Sequence, residues 1–415
     1  MEEKIKIKCP KYLEEFKCIG GACEDSCCTA WDIDIDKESF KIYKDTNNEV
    51  MKKMFEEELY ENKEKSDDNV DFGRVKLKPK KRCAFLDSDN LCIIYKNLGE
   101  EYLSNVCTCF PRILNKVDSS FEMSLDVSCP EASRILLSKE SGIEFIDKEI
   151  VLTKRIISSE LDTNDNRFSK TPLKYFKEIR EKSIDIIKDR SFKLNERMYI
   201  LGEFLYALEY ENYNDFSNLE NLINTYDTKK IYDDYSMRDI SFIDNVEFYK
   251  DLIEGLDVFN EIDNEIFKEY ARKLYDGFKF NIDSEDISIE EEYIEGYKEY
   301  NEKFEEEFSY IFENYLVNFI YNYMFPFSES DYMFDGYMML LIRYSYIKFC
   351  LVGVYLNDKK ENKDNIIRFI SAFSKAVGHH KTYMIELLNY VREEELDNME
   401  FVKMLLPKYI IKKDV

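Results

Sequence analysis

Glycine and proline are scarce in this chain, with 12 and 7 among 415 residues. So few turn formers exclude a β-sandwich with many tight turns and point to long helices. Positive charge is also short: 59 Lys and Arg face 85 Asp and Glu, for a formal charge of −26. A surface that acidic is unsuited to nucleic acid or to anionic lipid, both of which demand cationic groups. It is compatible with a basic protein partner, and equally with plain solubility. No apolar stretch of signal-peptide length opens the chain, which begins MEEKIKIKCPKYLEEFK. No long hydrophobic run is unbroken either. The most apolar one, YMMLLIRYSYIKFCLVGVYL, contains Arg343 and Lys348 and reads as a buried amphipathic helix. The expectation is a cytoplasmic globular protein, with 44% hydrophobic residues to build a core. Disulfides are disfavoured in that compartment, and an odd total of 11 cysteines does not suggest full pairing.

What the chain does have is an uneven distribution of those cysteines. Ten lie between Cys9 and Cys129, and only Cys350 falls outside, in an apolar run where a buried thiol is expected. This asymmetry divides the chain into a cysteine-bearing module at about residues 1–140 and a region from 141 to 415, with no Gly/Ser-rich linker between them. In the first, WDIDID suits a short exposed strand, residues 39–65 carry a helical rhythm, and LKPKKRC reads as loop. CAFLDSDNLCIIY reads as a hairpin around an Asp-Ser-Asp-Asn turn. The second region reads as helix after helix. Thr171-Pro172 is a helix start, followed by Leu173, Phe176, Ile179, Ile186 and Ile187 on one face. ENYLVNFIYNYMFPF is an apolar helix that Pro326 should end, and Ile366, Ile370, Phe373 and Val377 form an amphipathic stripe. The run EEEYIEGYKEYNEKFEEEF reads as a solvated helix face, and the 31 Tyr and 30 Phe as packing. The fold class is mainly α-helical: a cysteine-rich α+β metal-cluster module packed on a larger all-α region.

The cysteines read, in order, C-x4-C-x3-C-C, C-x8-C-x2-Y, C-x-C-F-P-R and C-P-E-A-S-R. Tight spacing lets a metal be gripped from one loop, while distant cysteines close the site by folding over it. Thiolates select zinc, copper(I) or iron–sulfur clusters over hard cations. Adjacent Cys27 and Cys28 more naturally serve two ions, or two corners of a cluster, than one tetrahedral ion. Structural and catalytic roles for such a metal are both open. Lys78, Lys80, Lys81 and Arg82 could offset thiolate charge, although an exposed loop is the simpler reading.

Together CIGGACEDSCCTAWDIDID, CAFLDSDNLCIIYKNLGEEYLS, CTCFPR and SCPEASR resemble the flagellin lysine-N-methylase family (FliB-like proteins). The cysteine pattern is also similar to the wider YkgJ-type zinc- or iron-chelating cluster. The resemblance is strong over residues 10–135 and continues more weakly through ENYLVNFIYNYMFPF and FSKAVGHH. It implies methyl transfer from S-adenosylmethionine to lysine on flagellin, and an iron–sulfur cluster, [4Fe–4S] before zinc. The positions matching the family pattern are Cys18, Cys23, Cys27, Cys28, Cys83, Cys92, Cys107 and Cys129. Cys9 and Cys109 rank below them. Thr108 stands where the family usually has arginine.

Lysine methylation needs a deprotonated amine, in-line alignment and a pocket for the adenosyl group. The doubly wound methyltransferase fold is disfavoured, since the one Gly-Gly is Gly20-Gly21 inside the cysteine loop. A radical C-x3-C-x2-C motif is also unsupported: Cys23 and Cys27 fit its first spacing, but the third position is Ala30. Either the cluster binds the donor at an iron without a protein ligand, or it is structural and the helical region holds the donor. Trp31 and Arg112, beside the cysteine motifs, are candidate cofactor-binding residues. His379-His380 reads as surface or packing, since adjacent helical residues point about 100° apart. The catalytic base is not assigned. Two alternatives stand beside the methylase: a non-catalytic protein-binding module with a structural metal, and another iron–sulfur enzyme acting on a protein or small molecule.

Overall fold

A computed structural model describes residues 4–229, 243–280 and 287–406. The strands are β1 (Lys4–Pro10), β2 (Asp34–Ile35), β3 (Leu59–Glu61), β4 (Gly73–Val75), β5 (Leu77–Lys78), β6 (Arg82–Cys83), β7 (Arg112–Val117), β8 (Ser120–Leu125), β9 (Phe145–Val151) and β10 (Ser159–Leu161). Five of them form one mixed sheet in the order β10-β7-β8-β1-β9. Alternation in KIKIKCP turns Ile5, Ile7 and Cys9 inward and the lysines outward. On the outer face, Lys6 lies opposite Glu149 and Lys8 opposite Asp147. These cross-strand charge pairs favour the antiparallel register of β1 with β9.

The region after residue 140 is therefore not all-α, since it supplies two strands of this sheet. The charged, alternating FIDKEIV of β9 is the sequence signal for that correction. Small strand pairs and triplets build a second centre with α1 (Lys37–Lys44), α2 (Glu49–Glu58), α3 (Ile93–Leu98) and α4 (Asn105–Cys109), around Ile35, Tyr43, Phe55 and Phe85. WDIDID contributes buried Ile33 and Ile35, and Asp36 caps α1 by accepting from Ser39 N at 2.8 Å. LKPKKRC is not plain loop but the β5–β6 hairpin, turning where Lys80 and Lys81 adopt positive φ. In CAFLDSDNLCIIY the hairpin shrinks to a single bridge, Leu86 to Cys92. Asp87 holds the turn by accepting from Asp89 N and Leu91 N, and α3 then begins at Ile93.

The remaining helices are α5 (Pro130–Leu137), α6 (Phe176–Lys188), α7 (Leu194–Asn214), α8 (Leu219–Thr225), α9 (Ile243–Gly255), α10 (Val258–Glu261), α11 (Glu265–Phe278), α12 (Ile287–Asn322), α13 (Met333–Asp358), α14 (Lys363–Phe373), α15 (Lys381–Glu393) and α16 (Met399–Leu405). At the Thr171-Pro172 start a short 3₁₀ turn precedes α6. The Thr171 hydroxyl donates back to Phe168 O instead of capping. Within α12, Glu302, Glu306 and Glu307 of the acidic run are exposed while Tyr297, Tyr300 and Phe308 are buried. The helix ends at Asn322, before Pro326.

The apolar α13 is buried on every side from Met333 to Tyr355, not amphipathic as its sequence suggests. It is long and apolar enough to cross a membrane, but 94% of its most apolar window lies inside the protein. Its two cations are matched by acids and an amide within the protein. Arg343 reaches Glu329 at 2.8 Å, and Lys348 reaches Glu305 at 3.6 Å and Asn195 Oδ1 at 3.4 Å.

The last turns of α12 dock on the sheet through asparagines spaced four apart. Asn314 Nδ2 donates to Lys139 O at 2.9 Å, while Asn318 and Asn322 both donate to Leu125 O, at 3.1 and 3.0 Å. Tyr321 donates to Lys8 O at 2.8 Å. One hydrophobic cluster runs from Tyr12, Leu125 and Leu136 through to Phe204, Leu340 and Phe373. The side of the sheet near β8 and α5 is thus fixed against the helices, and the cysteine loop sits at that junction.

Candidate functional site

Cysteines from four chain segments meet beside the loop of residues 18–31. Cys83 N donates to Cys28 O at 2.9 Å, which ties β6 to the loop. Cys92 and Cys129 occupy the N-cap positions of α3 and α5, and Cys107 lies in α4, where Ser104 caps by accepting from its N–H. Burial pushes the Cys83 thiol up to about 12, with Cys107, Cys92 and Cys27 adding to the rise. Cys107 is exposed as a residue, yet the protein around its thiol pushes it up to about 12, helped by Cys27 and Cys92. Burial likewise lifts Cys129 to about 12, with Cys23 and Cys27 contributing. Cys27 is also exposed as a residue, yet a hydrogen bond with Cys28 and then the protein around its thiol raise it.

Cys27 is therefore the hub: Cys23, Cys28, Cys83, Cys92, Cys107 and Cys129 all lie within its electrostatic reach. Opposing these rises, backbone N–H groups at the starts of α3 and α5 lower Cys92 and Cys129. The gathering leaves some cysteines out. Cys18 is exposed and, among the described residues, accepts only from Gly20 N, at 3.4 Å. Cys9 is buried in β1, Cys350 is buried in α13, and Cys109 lies near Arg112 and Lys154. Among the described residues no three Cys, His, Asp or Glu side chains are arranged to hold a metal ion as they stand. The thiols share a neighbourhood without forming a finished coordination shell.

Trp31 covers this neighbourhood. Its Nε1 donates to Cys27 O at 2.6 Å, and its ring meets Phe110 and His379 edge-on at 5.2 and 5.3 Å. Arg112 sits apart, with its guanidinium 5.3 Å from the Phe16 ring. The basic run turns outward: Lys78 pairs with Glu58, Lys80 with Glu265 and Lys81 with Asp263.

The opposite wall comes from the far end of the chain. After α14 the backbone widens into a π-helical turn over Ser374–Gly378, a geometry common at functional sites. It buries Lys375 to 2% side-chain exposure, with Nζ 2.6 Å from Asp25 Oδ1 and 2.9 Å from Ser26 O. The ammonium also stands 4.9 Å from the Trp31 ring and lowers Cys27. Asn264 Nδ2 holds the other Asp25 oxygen at 2.8 Å.

His379 is not a bystander. Its Nε2 lies 3.2 Å from Oδ2 of buried Asp126, which also accepts from Tyr323. His380 separately caps α15, its Nδ1 accepting from Tyr383 N. Adjacency does send the two rings apart, and His379 is a surface residue with 40% of its side chain exposed, to which the structure adds this ion pair with a buried acid. Asp25 and Asp126 stand near Cys23 and Cys129 in the sequence, but their roles escaped sequence reasoning because only folding brings them their partners Lys375 and His379.

Burial alone would raise Asp126, but the charge and hydrogen bond of His379 outweigh it and hold the carboxyl at about 2, down from 3.8. Burial lowers His379 and Asp126 more than reverses that, so the imidazole sits above 6.5, against small opposing effects of Lys375 and Lys381. A depressed acid contributes stability above 3.8 that is lost as pH falls through about 2. A raised base contributes stability below 6.5 that is lost as pH climbs through its folded value. The pair is thus fully effective between 3.8 and 6.5. Asp126→Asn is expected to cost about 2 kcal/mol near pH 5.5 and clearly less at pH 9. Denaturant melts at both pH values check this, and an equal loss at both would contradict it.

A family model described as the FliB lysine N-methylase C-terminal domain matches residues 180–405, more than half of the chain. Proteins named lysine-N-methylase from Salmonella typhimurium and Salmonella choleraesuis are each 29% identical over 150 residues, 36% of this chain and 37% of theirs. The match therefore spans little more than a third of those relatives. The flagellar biosynthetic protein FliU of Salmonella muenchen is 29% identical over 148 residues, 35% of this chain and 86% of its own length. No solved structure matches.

Proposed function

The chain belongs to the FliB lysine N-methylase family, and from that premise we propose that it is a cytoplasmic enzyme transferring methyl groups from S-adenosylmethionine to lysine ε-amines of flagellin. The observation that carries the reading is the family match over residues 180–405, supported by similarity to proteins named lysine-N-methylase. The thiols of Cys23, Cys27, Cys28, Cys83, Cys92, Cys107 and Cys129, with Cys18 as the eighth member of the sequence pattern, are the residues that would hold an iron–sulfur cluster. They fit such a group because the donor set is all sulfur and because neighbouring buried thiols become thiolates only beside a positive centre. When bound, a cluster supplies a soft iron centre and fixes the loops that carry its ligands.

The chain's own residues supply the rest. Lys375 favours the Cys27 thiolate, and Trp31 shields the loop behind it. His379 is oriented by Asp126 through Nε2, which leaves Nδ1 to take the proton that an incoming ammonium must lose before it can attack a methyl group. Incubation with flagellin and methyl-labelled S-adenosylmethionine should place label on flagellin lysines. An absence of labelled lysine with fully metallated protein would overturn the activity. Anaerobically purified protein should contain iron with matching acid-labile sulfide, whereas zinc without sulfide would overturn the cluster.

A further inference from the structure

A cleft of about 240 Å³ opens beside the cysteine loop, between α5, the start of α11 and α14. Glu24 and Pro130, on its lining, are the chain neighbours of Cys23 and Cys129. The α14 wall presents Asp364, Ile367, Arg368 and Ser371, which share a face at helical spacing. Most of the charges around the cleft are already committed. Arg134 binds Glu24 at 2.7 and 3.0 Å as well as Glu131, and Asp25 is held by Lys375 and Asn264. Two are held more loosely or not at all: Arg368 pairs with exposed Glu269 at 3.4 Å and bonds the Tyr270 hydroxyl, while Asp364 makes no ion pair or hydrogen bond among the described residues.

A guanidinium and a carboxylate one helical turn apart, above an apolar floor of Ile266, Ile367 and Ala372, match an α-amino-acid zwitterion with an apolar side chain. The cleft is smaller than pockets that enclose a whole drug-sized ligand, roughly 300–1,000 Å³, so it suits one end of a larger molecule. A larger cleft of about 640 Å³ over β1, β8 and β9 is a poorer fit. No cysteine lines it, and its Lys8, Lys148, Lys177 and Arg180 are paired with acids.

We propose that the cleft binds the amino-acid end of the methyl donor, with Arg368 taking the α-carboxylate, Asp364 the α-ammonium, and the side chain running over Ile367 toward the thiols. The assignment rests on the reading of the chain as an S-adenosylmethionine-dependent enzyme. Asp364→Asn changes an exposed position and Arg368→Gln removes a loose ion pair with exposed Glu269 from a half-buried one, so iron content should stay at the wild-type value and melting temperature within a few degrees of it.

Equilibrium dialysis of the full metallated chain against labelled S-adenosylmethionine, and separately against methionine, is the test. Each variant should weaken S-adenosylmethionine about tenfold or more, with methionine weakened in parallel. Undiminished binding of S-adenosylmethionine by both variants would overturn the cleft assignment and leave the activity standing. Weakened methionine with unchanged S-adenosylmethionine would show an amino-acid site that is not the donor's, and would also overturn it. If the wild-type chain binds no S-adenosylmethionine, the methylase reading falls and the cleft falls with it.

Discussion

Lys375→Met should be among the most damaging single changes in the chain, at about 3–5 kcal/mol of stability. Methionine keeps the length and apolar body of the side chain but removes the charge, so packing around the π-helical turn is nearly conserved. What is lost is the partner of Asp25, whose side chain is only 11% exposed and retains just the Asn264 amide. Ser26 O loses its donor as well. The penalty comes from stranding a buried carboxylate more than from losing an attraction, and this gives the prediction a second arm. Adding Asp25→Asn to Lys375→Met should recover part of the loss, because no unpaired charge then remains. Chemical denaturation of the wild type, both single variants and the double variant measures the cycle. A Lys375→Met chain within about 0.5 kcal/mol of wild type would show that the contact is an ordinary surface pair.

The same contact shows what a sequence can and cannot disclose here. Local features were readable: the helix start near Pro172 and the buried stripe Ile366, Ile370, Phe373 and Val377. These depend on period and on turn chemistry, which a single segment carries. Residues whose meaning lies in a distant partner were not readable. Asp25 and Lys375 are 350 positions apart, and His379 and Asp126 are 253 apart. Even so, Lys375 and His379 both lie in FSKAVGHH, one of the segments that carried the family resemblance. The α12 asparagines were visible every fourth residue but were masked by the apolar residues around them. Their amides bind backbone carbonyls at the sheet, an interaction without a composition signature. The strands after residue 140 were missed for a similar reason. The partner that makes FIDKEIV a strand is β1, at the other end of the module.

The second large effect is expected at Cys27. Six other cysteines lie within electrostatic reach of this thiol, so it is the member whose loss should dissolve the set. Cys27→Ser replaces a soft donor with a hard, far less acidic hydroxyl in nearly the same volume. Iron and acid-labile sulfide should fall to background, together with visible absorption and lysine methylation. Cys350→Ala should leave all four unchanged, since its thiol is buried in α13 away from the loop. Cys18→Ser then discriminates between ligand sets. Its sulfur is exposed and, among the described residues, bonded only to Gly20 N, so a seven-thiol site would keep its iron, whereas an eight-thiol site must draw the loop inward on loading and would lose it. Loading that draws scattered thiols together would order the loops that carry them. Protection of residues 18–31 from proteolysis should then rise with metal content. A Cys27→Ser protein that retains full iron and sulfide would remove Cys27 from the centre of the site and, with it, the assignment of these loops to a cluster.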